Sequence, residues 1–293
     1  MHFYYYNLRK QPDISMFLYS AKSPLPAHGG IFSCSVRRGF QILSANRNFY
    51  LLRPGEIELY SNNMEVRNMS KYDTVLFDFD GTVVDTTDAV LKAWQHTYDV
   101  YRPGGYDEEE CLSTFGEQLD MSMHRHFPDI PTQQVVDTYR NWQRERLGEL
   151  AHEIPGVFDA LSSIKTTGVK MGLVTSRHKD TADVLFDMFD VRQYFDVIIM
   201  SEDTEHHKPD PEPIDKALSM LGSEPERSVY IGDAVFDLQT SHNAGVDFAL
   251  VIWTRTYQIE RTPDGTPLRA VTDITDDQPE YLIETPADLS TIL

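Results

Sequence analysis

Asp78 and Asp80 stand two residues apart, directly after the apolar run Thr74-Val75-Leu76-Phe77, and Gly81 follows them. In an extended chain residues i and i+2 point to the same side, so both carboxylates can serve one site. Two like charges that close are tolerated when a cation sits with them or one of them holds a proton. The pair therefore suits a metal-assisted reaction, with one carboxylate as nucleophile and the other as acid/base. A solvated turn is the plainer reading, and the pair alone does not decide between the two.

The elements that must position these residues settle more. Val169–Val174 reads as a strand closing on Thr175 and Ser176, and Phe195–Met200 as a strand running into the loop of Lys208. Ser228–Ile231 ends at Gly232-Asp233, with Asp237 four residues on, and Phe248–Trp253 follows after a short helix. Strands rich in Val and Ile, alternating with helices, predict an α/β fold: a Rossmann-like parallel five-stranded sheet covered on both faces. Tyr281–Ile283 is a candidate small edge strand, and residues 256–279 a hairpin or loop around Pro263-Asp264-Gly265. Ligands of such sheets bind beyond the carboxyl ends of the strands, where all the residues named above fall. Carboxylate oxygens suit a hard cation such as Mg²⁺ better than zinc. An ammonium and hydroxyls suit the oxygens of a phosphoryl group. No glycine-rich loop runs into Lys-Ser/Thr, so a nucleoside-triphosphate cradle is not indicated.

In order and separation, the set Asp78-Phe79-Asp80-Gly81-Thr82, Thr175, Lys208-Pro209-Asp210 and Gly232-Asp233-Ala234-Val235-Phe236-Asp237 resembles the four motifs of the haloacid dehalogenase-like hydrolases. The separations are 97, 33 and 25 residues from Asp78 through Thr175 and Lys208 to Asp233. The resemblance covers about residues 72–293. It implies that Asp78 takes the phosphoryl group as an aspartyl phosphate and that Asp80 protonates the leaving oxygen and then activates water. It implies that Thr175, Ser176 and Lys208 hold the phosphate, and that Asp78, Asp80 (through its main-chain carbonyl) and Asp233 bind Mg²⁺, with Asp237 a weaker ligand or only a helix cap. A carboxylic acid at Asp80 points to a phosphatase, because an alkoxide leaves poorly without a proton. Thr114-Phe115-Gly116-Glu117-Gln118-Leu119 and Glu153-Ile154-Pro155-Gly156-Val157 look like the phosphoglycolate phosphatase and pyrophosphatase group. Residues 256–279 are longer than expected there. The expected function is a Mg²⁺-dependent phosphatase of a small phosphate monoester, phosphoglycolate first. Pyrophosphatase, sugar or nucleoside-monophosphate phosphatase, phosphomutase and a non-catalytic binding protein on the same fold are the alternatives.

The remaining chain divides around this core. Helical spacing of Val90, Leu91, Trp94 and Tyr98, with further helical stretches near 107–126 and 132–150, makes residues 87–154 an all-helical insert, a cap in the resembling family. Asp85 or Thr86 caps its first helix, Asp180 caps a helix of the core, and the cap's aromatics with Met121 and Met123 read as packing. The core is then 69–86 and 155–293. Residues 1–68 show neither period, and are expected to be a poorly structured extension, a stretch upstream of a natural start at Met64 or Met69, or a targeting peptide. Arg177 and His178 could reach a substrate, while His206 and His207 read as a solvated loop and Asp210 as a cap or a support for Lys208.

Composition sets outer limits. The 41% hydrophobic and 25% charged content is that of an ordinary globular chain. Residues 1–70 hold 8 basic and 4 acidic side chains, leaving 18 basic against 42 acidic in the rest. An acidic body of that size repels nucleic acid and anionic membranes, so a small phosphorylated metabolite bound by a locally positive site is the expected partner. No apolar run of about 18 residues occurs, so no membrane span is expected. Two distant cysteines, Cys34 and Cys111, make no disulfide framework and favour a cytoplasmic setting, with a monomer or homodimer expected.

Overall fold

Buried on both faces, a strand needs apolar or hydrogen-bonded side chains throughout, and Thr74–Phe77 (β4) meets that demand with Val75, Leu76 and Phe77 and with Thr74, whose hydroxyl donates to Ser223 at 2.7 Å. A computed structural model describes residues 71–254, 256–271 and 275–293, together with three short strands nearer the N-terminus. Those three strands, β1 (Phe32–Ser35), β2 (Gln41–Ala45) and β3 (Asn48–Leu52), form an antiparallel sheet in a unit of their own, Met1–Met69. The expectation of a poorly structured extension over 1–68 otherwise lies outside the described residues.

The second unit, Ser70–Leu293, holds the site. Its main sheet has six parallel strands, one more than the five expected. They are β4, β7 (Lys170–Val174), β8 (Val197–Ile199), β9 (Ser228–Gly232), β10 (Asp247–Val251) and β13 (Tyr281–Ile283), ordered β13-β10-β9-β4-β7-β8. The sixth strand is the short Tyr281–Ile283 run, which pairs in parallel register with Ala249–Val251. β4 lies between β7 and β9, where the chain reverses its direction of travel across the sheet, the crevice position at which open α/β sheets bind ligands.

Period-two alternation along β4 splits the core into two layers. Val75 and Phe77 join one apolar cluster with Leu161, Leu185 and Phe186, on the side of α6 (Val157–Thr166) and α7 (Lys179–Met188). Leu76 joins the other with Ile214, Tyr230, Leu238 and Phe248, on the side of α8 (Glu212–Leu221) and α9 (Val235–Asn243). Between β10 and β13 the chain makes a hairpin, β11 (Gln258–Arg261) with β12 (Pro267–Val271).

The helical insert leaves the sheet through β5 (Val84–Asp85) and returns through β6 (His152–Glu153), and these two linkers pair antiparallel. Between them lie α1 (Thr87–Tyr101), α2 (Glu108–Leu112), α3 (Leu119–His126), α4 (Thr132–Arg144) and α5 (Leu147–Leu150). Trp94, Tyr98, Met123, Phe127, Val135 and Tyr139 build an apolar cluster separate from both core layers. Met123 packs there as expected, whereas Met121 is 58% exposed.

Of two capping expectations, one is met and one is not. The Thr87 amide donates to Asp85 Oδ1 at 3.0 Å, so Asp85 caps α1 and leaves the Thr86 hydroxyl for another partner. Asp180 does not cap α7: it pairs with Arg144 of α4, and the Lys179 amide takes Glu202 instead.

Candidate active site

Asp78, Thr175, Ser176 and Asp233 sit just after the carboxyl ends of sheet strands, Asp80, Lys208 and Asp237 lie further along the chain, and backbone conformation permits the close approach they need. Gly81 has φ +77°, and a Cβ there would lie 2.3 Å from Asp233 Oδ2. Only glycine allows the loop after β4 to cross the end of β9 at that distance. Gly232 is held equally tightly, because a Cβ there would meet Asp237 Oδ2 at 2.6 Å.

Asp78, Asp233 and Asp237 converge. One carboxylate oxygen from each lies within 4.8 Å of the others, and all three residues are buried. The Lys208 ammonium, 2% exposed, donates to Asp78 Oδ1 and Asp237 Oδ1, both at 2.6 Å. Asp237 is fully engaged: Tyr230 also donates to its Oδ1, at 3.1 Å, and the Ala234 amide donates to its Oδ2, at 3.1 Å. It therefore both caps α9 and anchors Lys208. Asp233 Oδ2 accepts from Thr254 at 2.9 Å, and the Trp253 indole donates to the Gly81 carbonyl at 3.0 Å. Neither of those two contacts was legible beforehand, since Trp253 read only as the end of a strand and Thr254 was not singled out.

The charge balance of this cluster is unequal. Three buried carboxylates face one buried ammonium, and no other cation touches them among the described residues. Burial first, and then the Asp237 carboxylate, push Asp78 up to about 8 despite the pull of Lys208. Burial, Asp237 and Asp78 raise Asp233 as well. Burial draws Lys208 down, but Asp237 and Asp78 outweigh it and hold the ammonium charged. An excess of buried negative charge on hard oxygen donors is what a divalent cation such as Mg²⁺ neutralises, so the residues present fit that ion.

The sign of the resulting pH dependence follows. Asp78 and Asp233 bind protons more tightly folded than unfolded. The stability this gives the metal-free protein is complete below the unfolded carboxyl value of ~4 and is lost as pH rises through about 8. Bound Mg²⁺ removes the penalty. The rise in Tm on adding Mg²⁺ is expected to be small at pH 5.5 and to grow towards pH 8, by about 2–4 °C for each kcal/mol recovered. Thermal melts with EDTA or Mg²⁺ across that range check it; a gain independent of pH contradicts it.

Asp80 is held differently. Both its carboxylate oxygens accept from Arg177: Nε donates to each at 3.0 Å, Nη2 adds a further bond to Oδ1, and Thr86 donates to Oδ1 at 2.6 Å. Arg177 is thus spent on Asp80, and its Nη1 reaches Gln143 of α4 at 3.2 Å. Burial works against the guanidinium charge, but Asp80 prevails and raises it. Thr175 Oγ1 accepts from the Arg177 amide at 3.0 Å. Ser176 donates to the carbonyl of Gly116 in the insert, at 2.9 Å, which joins that loop to the sheet. His178 pairs with Glu202 at 2.9 Å, and Asp210 accepts from the Glu212 amide at 2.9 Å as a cap of α8. His206 is exposed and pairs with Glu212.

A cleft of about 120 Å³ lies between sheet and insert, bordered by Asp78, Asp80, Thr175, Arg177 and Asp233 below and by Trp94, Tyr139 and Arg140 above. It is well under the ~300–1,000 Å³ of pockets that hold drug-sized ligands, and so suits a small substrate. Among the described residues no helix is long and apolar enough to cross a membrane.

A family model described as haloacid dehalogenase-like hydrolase matches residues 75–251. The chain is 36% identical over 187 residues to a protein named pyrophosphatase PpaX from Bacillus pumilus (strain SAFR-032), covering 64% of this chain and 86% of that one. It is 32% identical over 197 residues to pyrophosphatase PpaX from Bacillus cereus (strain AH820), covering 66% and 91%. Two solved structures share the fold. One is a putative haloacid dehalogenase-like hydrolase from Bacteroides fragilis (TM-score 0.60, 24% identity, 75% of this chain and 100% of that one). The other is a putative phosphoglycolate phosphatase from Lactobacillus plantarum (TM-score 0.63, 20% identity, 76% and 100%).

Proposed function

Because the chain belongs to the haloacid dehalogenase-like hydrolases and is a phosphate-hydrolysing enzyme, we propose that it is a Mg²⁺-dependent phosphatase working through an aspartyl phosphate on Asp78. The observation that carries this reading is the buried cluster of Asp78, Asp233 and Asp237 around Lys208. Asp78 and Asp233 hold the metal, together with the main-chain carbonyl of Asp80, and Asp237 completes the charge balance while fixing Lys208. When bound, Mg²⁺ supplies positive charge that lets an anionic carboxylate approach an anionic phosphate.

The protein's own groups account for the steps. A carboxylate oxygen of Asp78 attacks phosphorus, and the bond from phosphorus to the leaving oxygen breaks. Asp80 gives its proton to that oxygen as it departs. Water then attacks the phosphorus of the acyl phosphate, Asp80 takes the water's proton, and the bond to Asp78 breaks to release orthophosphate. Lys208 and Thr175 hold the oxygens that carry charge in both steps. For the first step Asp80 must exchange its bonds to Arg177 for the leaving group.

The helical insert, residues 87–154, acts as a cap that closes over the cleft. Its links to the core run through Ser176 with Gly116, Arg144 with Asp180, and Gln143 with Arg177. The substrate is a small phosphate ester or anhydride, with phosphoglycolate and pyrophosphate the first two to try. Cys111, a buried free thiol, suits a reducing compartment such as the cytoplasm. Phosphate release measured on p-nitrophenyl phosphate, phosphoglycolate, pyrophosphate and sugar phosphates, with Mg²⁺ or EDTA, tests the reading. Release that requires Mg²⁺ supports it; full release in EDTA, or isomerised sugar phosphate with little free phosphate, overturns it.

A further inference from the structure

We infer that Thr254 is a positioning residue for the cation: it orients the Asp233 carboxylate, and the affinity of the site for Mg²⁺ depends on its hydroxyl. The inference rests on the Mg²⁺-dependent reading above and adds to it a determinant outside the ligand set. The three buried carboxylates are not held alike. Asp78 and Asp237 each accept a bond from the Lys208 ammonium at 2.6 Å. Asp233 pairs with no cation among the described residues, and the donor to its carboxylate there is Thr254, 2.9 Å from Oδ2. The last torsion of an aspartate is broad and roughly two-fold, so a hydrogen bond must choose which oxygen faces which way. Thr254 takes Oδ2 and leaves Oδ1 with no hydrogen bond among the described residues, available to a cation. Asp233 is only 2% exposed, so bulk water is a poor substitute for that donor.

The neighbours of Thr254 hold the same two loops. The Thr256 hydroxyl donates to the main-chain carbonyl of Asp233, and the Trp253 indole donates to the Gly81 carbonyl at 3.0 Å. Residues just beyond β10 thus fasten the loop after β9 and the loop after β4 to one another. Their own anchorage comes from both sides. β10 itself lies in the sheet, and Tyr257, Ile259 and the buried Ala270 of the hairpin pack on the apolar layer of Leu76, Tyr230 and Leu238. The hairpin of β11 and β12, in the segment that is longer than expected, thereby gains a task at the site. A ligand oxygen oriented before the ion arrives spares binding the cost of ordering it.

The test is calorimetric titration of the full chain with Mg²⁺ alone, without substrate. Thr254→Val removes the hydroxyl and keeps the shape, and is expected to raise the Kd for Mg²⁺ by about 10–100-fold. At saturating Mg²⁺ its KM for p-nitrophenyl phosphate should stay near that of the unaltered protein. Thr254→Ala should show the same loss of affinity, so that the result does not hang on how valine packs. Thr254→Ser keeps the donor and should bind Mg²⁺ almost as tightly as the unaltered protein, as should Gln258→Ala on the exposed side of β11. Unchanged Mg²⁺ affinity in Thr254→Val and Thr254→Ala overturns the inference, as does a loss in Thr254→Ser equal to theirs. In those cases Mg²⁺-dependent phosphate release by the unaltered protein leaves the phosphatase reading standing. Mg²⁺ bound by the unaltered protein without phosphate release from any substrate sinks that reading alone, and the comparison of affinities still judges Thr254. An unaltered protein that binds no Mg²⁺ overturns both.

Discussion

Asp78→Asn is expected to release phosphate at a rate lower by on the order of 10³-fold or more, yet to melt no lower than the unaltered protein in EDTA. The amide cannot attack phosphorus, so the covalent step is lost outright. Stability moves the other way because the folded protein without metal holds three buried carboxylates against one ammonium, and the substitution removes one of the three. Lys208 keeps its bond to Asp237 at 2.6 Å, so no charge is orphaned. The Mg²⁺-dependent rise in Tm should shrink with the same substitution. An inactive Asp78→Asn protein that melts well below the unaltered one in EDTA would contradict the charge balance drawn here.

Lys208→Met is expected to cost more stability than any other single change at the site. The ammonium is almost wholly buried, and its bonds to Asp78 and Asp237 end on carboxylates that are themselves buried. Taking one partner from a buried ion network leaves uncompensated charge and typically costs about 3–5 kcal/mol, or roughly 6–20 °C in Tm for a domain of this size. The loss should be largest near pH 8 in EDTA and smaller near pH 5. Asp78, whose burial already pushes it up to about 8, is protonated at the lower pH and no longer needs a cation. Phosphate release should fall by at least about a hundredfold, because the oxygens of the transferring group lose their ammonium donor. A Lys208→Met protein melting within 2–3 °C of the unaltered one at pH 8, against the roughly 6–20 °C expected, would show that the network is not what holds the site together.

The residues that meet at the sheet's edge were legible because strand ends are local signals. Apolar runs closing on Asp78, Thr175 and Asp233 announce both the strand and the polar group it carries, and the loop after Phe195–Met200 offers Lys208, to which the family resemblance gives a role. The sixth strand is only three residues long, and so its membership in the sheet depends on β10 offering an edge. Long-range pairings were not legible. Arg177 lies 97 residues from Asp80, and the choice of Asp80 as its partner is made by the packing of sheet against insert. Asp237 was open between metal ligand and cap. The structure gives it a cap and Lys208 together, through separate carboxylate oxygens.

The central claim is that phosphate passes through Asp78. It is tested most directly by mass spectrometry of the Asp80→Asn protein, acid-quenched during reaction with p-nitrophenyl phosphate and Mg²⁺. That leaving group departs without a proton from Asp80, whereas water still needs Asp80 to attack, so the acyl phosphate should accumulate. The account predicts one added phosphoryl group on the peptide that contains Asp78, absent in EDTA and absent when Asp78 is also replaced by Asn. A phosphoryl group on any other residue, or phosphate released over repeated turnovers by a protein lacking the Asp78 carboxylate, would contradict it.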